Sequence, residues 1–294
     1  MKRAVFQWNL GRRSLELGRR TLVMGIVNVT PDSFSDGGHF LSANKAVDHA
    51  LRLLDEGADV VDIGGESTRP GAGVVVEGGR RAGVSAEEEL ARVLPVIAGV
   101  RQSRPEAVIS VDTYKSAVAK AAVEAGADII NDVSGLQWDR AMAETCASLV
   151  CGVVLMHMRG LPETWQGLEK LEDPLTLVKH ELGLAAAKAQ ETGIARDRIV
   201  LDPGFGFGKS FEENYPLLAG LDQLAELGFP ILAGTSRKSF IGRAMGSDAP
   251  ASARLSGSLA AMVVSVMKGA HIVRVHDVKE SVEAARVVDA ILSN

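Results

Sequence analysis

The seven residues GADVVDI (57–63) join a glycine, at the end of a helical pattern, to a short run of valine and isoleucine. The same junction returns as GADIIND (126–132) and GAHIVRV (269–275). Glycine in this position adopts the left-handed conformation that ends a helix. The continuous apolar run after it is typical of a parallel strand that is buried on both faces. Three occurrences of one helix-to-strand junction predict repeated α/β units.

Eight apolar runs of this type are spaced along the chain, at 21–29, 59–64, 108–112, 128–132, 152–157, 198–202, 230–234 and 271–275. Helix-length segments lie between them, including 42–56, 85–101, 115–125, 174–192, 211–226, 252–268 and 278–291. Eight such units in 294 residues predict an α/β fold of the (β/α)8 TIM-barrel type. A doubly wound open sheet is the alternative, but no GxGxxG motif follows the first run. Because no Pro- or Ser-rich linker divides the sequence, we expect residues 1–294 to form a single domain.

Residues 1–20 precede the first of these runs and carry two short amphipathic pieces around Gly11. This pattern predicts a short N-terminal β-hairpin. We expect the hairpin to close the N-terminal mouth of the barrel, which is a structural role.

The composition argues against several classes of protein. With 32 Lys and Arg against 37 Asp and Glu, the formal charge is −5, which argues against a nucleic-acid-binding protein. No stretch approaches the ~20 apolar residues of a membrane helix, and the N-terminus lacks the apolar segment of a signal peptide. The two cysteines, Cys146 and Cys151, are too few for a disulfide scaffold or a cysteine zinc site. These features predict a cytoplasmic protein with no membrane or nucleic-acid partner.

Polar residues end nearly every apolar run, and they are Asn28, Asp62, Asp112, Asn131, His157, Asp202, Arg274 and His276. In a barrel these strand ends meet on the catalytic face. Because buried polar groups are costly unless they are satisfied, the set predicts a polar cavity at that face.

Two groups of these residues suggest a ligand. Arg274 and His276 are two apart, so their side chains point to the same side of a strand. This pair suits a phosphate or diphosphate, although it could instead hold a structural carboxylate. Asp112, Asn131 and Asp202 could bind the amino and ring N–H groups of a flat heterocycle. Each could instead cap a helix or a turn, and the sequence DPG is a strong turn signal.

Four loops that follow the apolar runs have unusual compositions. DPGFGFGK (202–209) lacks the spacing of a Walker loop, and its glycines would let the backbone approach a ligand while its phenylalanines stack on it. GTSRKSFIG (234–242) follows the seventh run, where such barrels frequently bind phosphate, although it could be a solvated basic turn. The long polar segments 28–40 and 65–85 predict lids or binding loops.

These segments resemble the dihydropteroate synthase family. The matching strings are MGIVNVTPDSFSDGG (24–38), DIGGESTRPGA (62–72), SVDTYK (110–115), IINDVSG (129–135), LMHM (155–158), LDPGFGFGK (201–209), GTSRKSFIG (234–242) and GAHIVRVHD (269–277). They occur in order over most of the chain, and several are long idiosyncratic strings rather than loose spacings. The resemblance implies a (β/α)8 transferase of folate biosynthesis. It would condense 6-hydroxymethyl-7,8-dihydropterin diphosphate with 4-aminobenzoate to 7,8-dihydropteroate and diphosphate, in an SN1-like, Mg²⁺-assisted step.

The resemblance also implies the site residues. The pterin would contact Asp112, Asn131, Met156, Asp202, Phe207 and Lys238. The diphosphate would contact Asn28, Arg274 and His276, and Asn28 would also be a Mg²⁺ ligand. The aminobenzoate and its loops would use Phe34, Thr68, Arg69, Pro70 and Ser239. Catalysis would depend on Asp112, Lys238, Arg274 and His276.

Two other functions stay open beside this one. A pterin-dependent methyltransferase domain would share the barrel and the pterin residues, but it would not need SRKS or the Arg274–His276 pair. A non-catalytic pterin-binding relative would be expected to have lost a loop or anion-site residue, and none is missing. The segment VVVEGGRRAGVSAEEE (74–89) is several residues longer than the family pattern, which leaves the loop geometry and sulfonamide sensitivity open. The resemblance further suggests a homodimer.

Overall fold

The computed structural model describes residues 3–30, 39–67, 73–74, 83–246 and 250–293. In these residues two strands, β1 (Phe6–Asn9) and β2 (Ser14–Leu17), form an antiparallel hairpin. The remaining strands are parallel and comprise β3 (Leu22–Asn28), β4 (Val60–Gly64), β5 (Val108–Asp112), β6 (Ile129–Asp132), β7 (Gly152–Met156), β8 (Ile199–Asp202), β9 (Leu232–Ala233) and β10 (Ile272–Val275). This arrangement confirms the predicted strands and the predicted N-terminal hairpin.

Helices alternate with the parallel strands. They are α1 (His39–Asp55), α2 (Ala86–Ser103), α3 (Ser116–Glu124), α4 (Met142–Ser148), α5 (Pro174–Glu191), α6 (Asn214–Ala219), α7 (Ser239–Ala244), α8 (Leu255–Met267) and α9 (Val278–Leu292). The glycines of the repeated junction, Gly57, Gly126 and Gly269, all have positive φ angles, as predicted for residues that end a helix. Over the described part of the chain, no helix combines the length and apolar character that a membrane crossing requires.

The eight parallel strands form one sheet in the order β8-β7-β6-β5-β4-β3-β10-β9. Its two edges meet through a parallel bridge between Leu201 and Ile231, and the Leu201 amide donates to the Pro230 carbonyl at 3.0 Å. The sheet therefore closes into the predicted TIM barrel.

The N-terminal hairpin packs under the barrel. Its Trp8 is 1% exposed, and the indole N–H donates to the Arg198 carbonyl at 2.9 Å. A Cβ atom on Gly152 would lie 2.5 Å from the Leu10 side chain, so only glycine fits there. One apolar cluster joins the hairpin to an inward-facing residue of each barrel strand. Its members are Trp8, Leu10, Leu17, Leu22, Met24, Val60, Val108, Ile129, Val154, Val200, Leu232 and Ile272. The hairpin thus closes the N-terminal mouth, as predicted.

Polar side chains occupy the opposite end of the barrel interior. Because side chains alternate along a strand, the residue two positions after each apolar inward-facing residue also points inward. The parallel register pairs Asp112 with Asn131 and Met156 with Asp202. Polar groups that lie far apart in the sequence therefore become neighbours at the C-terminal ends of the strands.

Three helical segments differ from the expected pattern. The predicted helix 211–226 is two shorter elements, because α6 ends at Ala219 with Gly220 as its C-cap and a 3₁₀ helix follows over Leu221–Leu227. The helices α4 and α7 were not predicted, since each is only six or seven residues long. An amphipathic pattern needs more turns than that to be recognised.

Candidate active site

Arg274 is the centre of the polar layer at the C-terminal end of the barrel. Its Nε donates to Asp62 at 2.6 Å, and its Nη2 donates to Asp112 at 2.6 Å. Asn131 Nδ2 donates to the same Asp62 oxygen at 3.0 Å. The guanidinium therefore holds two carboxylates from adjacent strands. The sequence left open that Arg274 binds a structural carboxylate instead of a phosphate, and the structure shows such contacts. Burial opposes the positive charge, but Asp62 and Asp112 outweigh it and raise the pKa of Arg274.

Asp202 closes the other side of this layer. Its Oδ1 accepts a hydrogen bond from the Gly204 amide at 2.7 Å. Gly234 lies between Asp202 and Arg274. A Cβ atom built on this glycine would be 3.8 Å from Asp202 Oδ2 and 3.8 Å from the Arg274 Cβ, so the glycine leaves the space between the two side chains open. The second Asp202 oxygen therefore lies close to the Arg274 side of the barrel.

Lys238, Phe207 and Met156 line the rim of the same layer. The Lys238 ammonium lies 3.8 Å from the centroid of the Phe207 ring, within the range of a cation–π contact. Phe207 packs edge-on against Trp165 at 5.5 Å between ring centroids. Met156 is 4% exposed and belongs to the apolar cluster against which Phe207 and Trp165 pack. A flat polar ring could thus be held between an apolar rim and the carboxylates beneath it.

Burial brings the pKa values of the charged groups in this layer closer to 7. It raises the pKa of Asp112 to about 7, where Arg274 lowers the value and Asp62 raises it further. It raises the pKa of Asp202 to about 6, against the Gly204 hydrogen bond and the nearby Lys238. Burial and the Arg274 charge lower the pKa of the half-buried Lys238 to about 7. Shifted values of this kind are typical of ligand-binding and catalytic sites.

Asn28 and His276 line a separate cavity of about 710 Å³ beside this layer. Its wall has mixed charge, with the cations Lys45, Arg52 and Arg237 and the carboxylates Asp48, Glu56, Asp277 and Glu280. His276 Nδ1 lies 3.1 Å from Ser236 Oγ. Burial and the charges of Arg274 and Arg237 lower the pKa of His276 to about 3, so the imidazole is neutral at pH 7. Any contact of His276 with an anion would therefore be a neutral N–H hydrogen bond rather than an ion pair.

The structure brings most of the predicted site residues to one face. Ser239 begins α7 directly after Lys238 and is exposed. Phe34, Thr68, Arg69 and Pro70 lie outside the described residues. His157 also ends a strand, but its Nε2 is 2.9 Å from Glu181 on α5, so the ring points to the helix layer.

Three residues of this face had no assigned role in the sequence analysis. Asp62 is fully buried and accepts from both Arg274 and Asn131. Lys209 lies within the loop after β8 and is 7% exposed. Trp165 lies on the loop after β7 and contacts Phe207. Asp62 was predicted only as a polar strand end; the two-residue alternation of β4, which places it above the inward-facing Val60, is the signal that points it into the barrel.

Comparison with known proteins agrees with this geometry. The family model described as pterin binding enzyme matches residues 24–276. The dihydropteroate synthase of Escherichia coli is 49% identical over 271 residues, which are 92% of this chain and 92% of that protein. A Xanthomonas albilineans dihydropteroate synthase structure with 4-aminobenzoic acid has a TM-score of 0.88 and 44% identity, and the match covers 99% of this chain and 100% of that one.

A second Xanthomonas albilineans structure, in complex with 7,8-dihydropteroate, has a TM-score of 0.80 and 40% identity. That match covers 95% of this chain and 96% of the other. In each of these three comparisons the match covers at least 92% of both chains. The chain belongs to the pterin-binding enzyme family, as an enzyme of the dihydropteroate synthase class.

Proposed function

We propose that this chain condenses 6-hydroxymethyl-7,8-dihydropterin diphosphate with 4-aminobenzoate to 7,8-dihydropteroate and diphosphate, a step of folate biosynthesis. The observation that carries the proposal is the polar layer in which Arg274 joins Asp62 and Asp112, with Asp202 and Lys238 on its far side. This layer offers carboxylate acceptors to one substrate, and it lies next to a cavity whose wall supplies cationic groups beside carboxylates. A heterocycle that carries a diphosphate needs both features.

The pterin ring presents amino and ring N–H donors and carbonyl and ring-nitrogen acceptors along its edge. Asp112 and Asp202 supply acceptors, while Asn131 supplies both a donor and an acceptor. The Lys238 ammonium supplies a donor, and Met156 and Phe207 provide an apolar surface for the ring face. Buried groups of this kind reject a ligand that lacks their partners, because the unpaired groups would then lose hydrogen bonds.

In the reaction, the bond between the pterin methylene carbon and the diphosphate oxygen breaks, and its electron pair leaves with the diphosphate. The electron-rich pterin spreads the positive charge that develops on the methylene, and the carboxylate of Asp112 stabilises it. The lone pair of the aminobenzoate nitrogen then forms the new C–N bond, and the extra proton of that nitrogen passes to solvent. Arg274 and His276 stabilise the negative charge on the leaving group, which is commonly the largest contribution to catalysis.

Mg²⁺ fits the donor set of the cavity beside the polar layer. Asn28 is half-buried and contributes an amide to the wall. Within the described residues, no group of three or more His, Cys, Asp or Glu side chains could form an all-protein metal site. Mg²⁺ commonly takes one or two protein ligands and completes its shell with water and substrate phosphates, so Asn28 would hold it together with the diphosphate. When bound, the ion would supply positive charge next to the leaving group.

The purified chain is expected to form 7,8-dihydropteroate from the pterin diphosphate and labelled 4-aminobenzoate, and EDTA is expected to lower the rate by at least tenfold. The physical reason is that the leaving diphosphate then lacks its divalent counter-ion. Product is measured by chromatography, with Mg²⁺ added back as the control. Pterin binding in calorimetry without any product would support the non-catalytic relative instead. Formation of product at the full rate in EDTA would remove the metal from the proposal.

The remaining residues complete the aminobenzoate site. Phe34 lies in the sequence segment after β3, and Thr68, Arg69 and Pro70 lie in the segment after β4. The resemblance assigns all four residues to the second substrate. Ser239 supports this assignment, because it is exposed next to Lys238 at the rim of the polar layer. Its hydroxyl could donate to the aminobenzoate carboxylate.

We also propose that the chain is a single domain and acts as a homodimer in the cytoplasm. The buried free thiols of Cys146 and Cys151 are consistent with a reducing compartment. Large apolar side chains are exposed on the neighbouring helices α8 and α9, including Met267 and Ile291, which are 54% and 65% exposed. Exposed apolar patches often mark association surfaces.

Sedimentation equilibrium is expected to give the mass of two chains of 31.0 kDa. Met267→Glu is expected to shift the protein towards the monomer, because a charge would be buried in the contact. Leu184→Glu is the matched control, since Leu184 is 58% exposed on α5. A monomeric wild type would contradict the dimer.

A further inference from the structure

The loop DPGFGFGK (202–209) is folded around the side chain of its own last residue. The Lys209 ammonium donates to the carbonyls of Gly204 at 2.8 Å and Phe207 at 3.2 Å, both in the same loop. It also donates to the His157 carbonyl, directly after β7, at 3.4 Å. An ammonium has three N–H donors, and here each has a carbonyl partner. Lys209 therefore joins two stretches of the loop to the end of the neighbouring strand.

This side chain is buried even though it is charged. Lys209 is 7% exposed, and burial lowers its pKa to about 7, with Asp202 opposing that change. A buried ammonium is costly unless it is hydrogen-bonded and lies near a negative charge. The three carbonyls and Asp202 meet that requirement, whereas a neutral side chain would pack more easily at a purely structural position.

The carbonyls that Lys209 holds belong to residues next to the pterin site. The amide of Gly204 donates to Asp202 Oδ1, so the backbone conformation of Gly204, whose carbonyl Lys209 holds, orients the carboxylate. Phe207 contacts the Lys238 ammonium with its ring. The glycines permit this turn, because Gly204 and Gly206 have φ angles of 65° and 78°, which side chains disfavour.

We propose that Lys209 is a positioning residue for the pterin substrate: it holds the loop so that Asp202 and Phe207 face the ring together. The inference rests on the proposed function, since the pterin is the ligand. Lys209 acts through its hydrogen bonds to the Gly204 and Phe207 carbonyls rather than by contact with the substrate. Its charge has a second effect, because it is one of the cations that lower the pKa of Asp202 and keep that carboxylate ionised.

Lys209→Met is expected to weaken binding of the pterin diphosphate at least tenfold in calorimetry, while the KM for 4-aminobenzoate changes less than threefold. Pterin binding is expected to weaken as the pH falls and Asp202 takes up a proton, and we call this part of the pH profile the acid limb. In Lys209→Met the acid limb is expected to move to higher pH, because Asp202 loses a neighbouring positive charge. Lys209→Arg keeps the charge and is expected to keep the wild-type acid limb. Lys120→Met on α3 is the control for loss of a lysine charge, since Lys120 is exposed and lies on a helix outside the loop 202–209.

A folded Lys209→Met protein with wild-type pterin affinity and an unmoved acid limb would overturn the proposal. Circular dichroism and thermal unfolding establish that the variant is folded. Where Lys209→Met does not fold, Lys209→Gln takes its place and is judged by the pH dependence, because glutamine can still donate to the carbonyls but lacks the charge. An acid limb of Lys209→Gln at the wild-type pH would then overturn the proposal. Wild-type product formation is measured separately, so a failure of the proposed function would be seen without the variants.

Discussion

Arg274→Ala is expected to lower kcat/KM for the pterin diphosphate by about 10²–10³-fold, the usual effect of removing one group that stabilises charge in a transition state. The guanidinium lies between the carboxylates of Asp62 and Asp112, next to the cavity that contains Asn28 and His276. Its loss removes positive charge from the leaving group and releases two carboxylates that it orients. Steady-state kinetics with each substrate varied in turn measures the effect.

The same substitution is expected to destabilise the fold in a pH-dependent way. Removing one partner of a buried ion pair costs about 3–5 kcal/mol while the other partner stays charged. Without Arg274, the pKa of Asp112 would rise above its present value of about 7. A carboxylate whose folded pKa exceeds its unfolded one loses stability as the pH rises. The free energy of unfolding of Arg274→Ala should therefore fall further below the wild type at pH 8 than at pH 5.5.

Arg274→Lys is the control for charge without the planar guanidinium. It is expected to recover much of the stability but little of the activity, since an ammonium cannot donate to both carboxylates in the same geometry. Urea denaturation at the two pH values separates stability from turnover. An Arg274→Ala enzyme with kcat/KM within twofold of the wild type would contradict the role assigned to this residue.

Most of the fold could be predicted from local signals in the sequence. The buried parallel strands are continuous apolar runs, and the helices that separate them are mostly long enough to show an amphipathic pattern. Gly57, Gly126 and Gly269 identify repeated helix ends, and their positive φ angles agree with that interpretation. The short helices α4 and α7 were missed because one or two turns carry too little periodicity.

The site was predicted less completely, because its contacts join residues that are distant in the sequence. Polar residues at strand ends indicated which face of the barrel is functional, but the partner of each depends on the closure of the sheet. Arg274 meets Asp62 across 212 positions of the chain and Asp112 across 162. A pattern of single residues cannot show that pairing, nor that Lys209 turns back into its own loop. Both follow from register and burial.

Asp202→Asn is expected to weaken pterin binding by about 100-fold or more, which corresponds to a loss of about 3 kcal/mol. Asparagine keeps an oxygen for the Gly204 amide, which donates to Oδ1 at 2.7 Å, so the loop retains its turn. The second oxygen is replaced by an NH₂ group, a donor that faces the N–H groups of the pterin. A lost charge-assisted hydrogen bond and a donor that faces a donor both oppose binding.

The pH dependence tests whether the effect comes from the carboxylate itself. Burial raises the pKa of Asp202 to about 6, so wild-type binding should weaken as the pH falls through 6 and Asp202 takes up a proton. Asp202→Asn should lack this limb and retain only the one that belongs to Asp112, near pH 7. Calorimetry from pH 5 to 8 measures both limbs, and normal affinity of the variant at pH 8 would remove Asp202 from the pocket.

The stability of this variant should move in the opposite direction to its affinity. The unfolded carboxyl group ionises near pH 3.8 and the folded one near 6, so the folded state binds more protons between these values. The free energy of unfolding of the wild type therefore falls, for this group, as the pH rises from about 4 to 6. Asp202→Asn avoids that loss and should be at least as stable as the wild type at pH 7. A variant that is more stable but does not bind pterin would show that Asp202 is retained for the ligand and not for the fold.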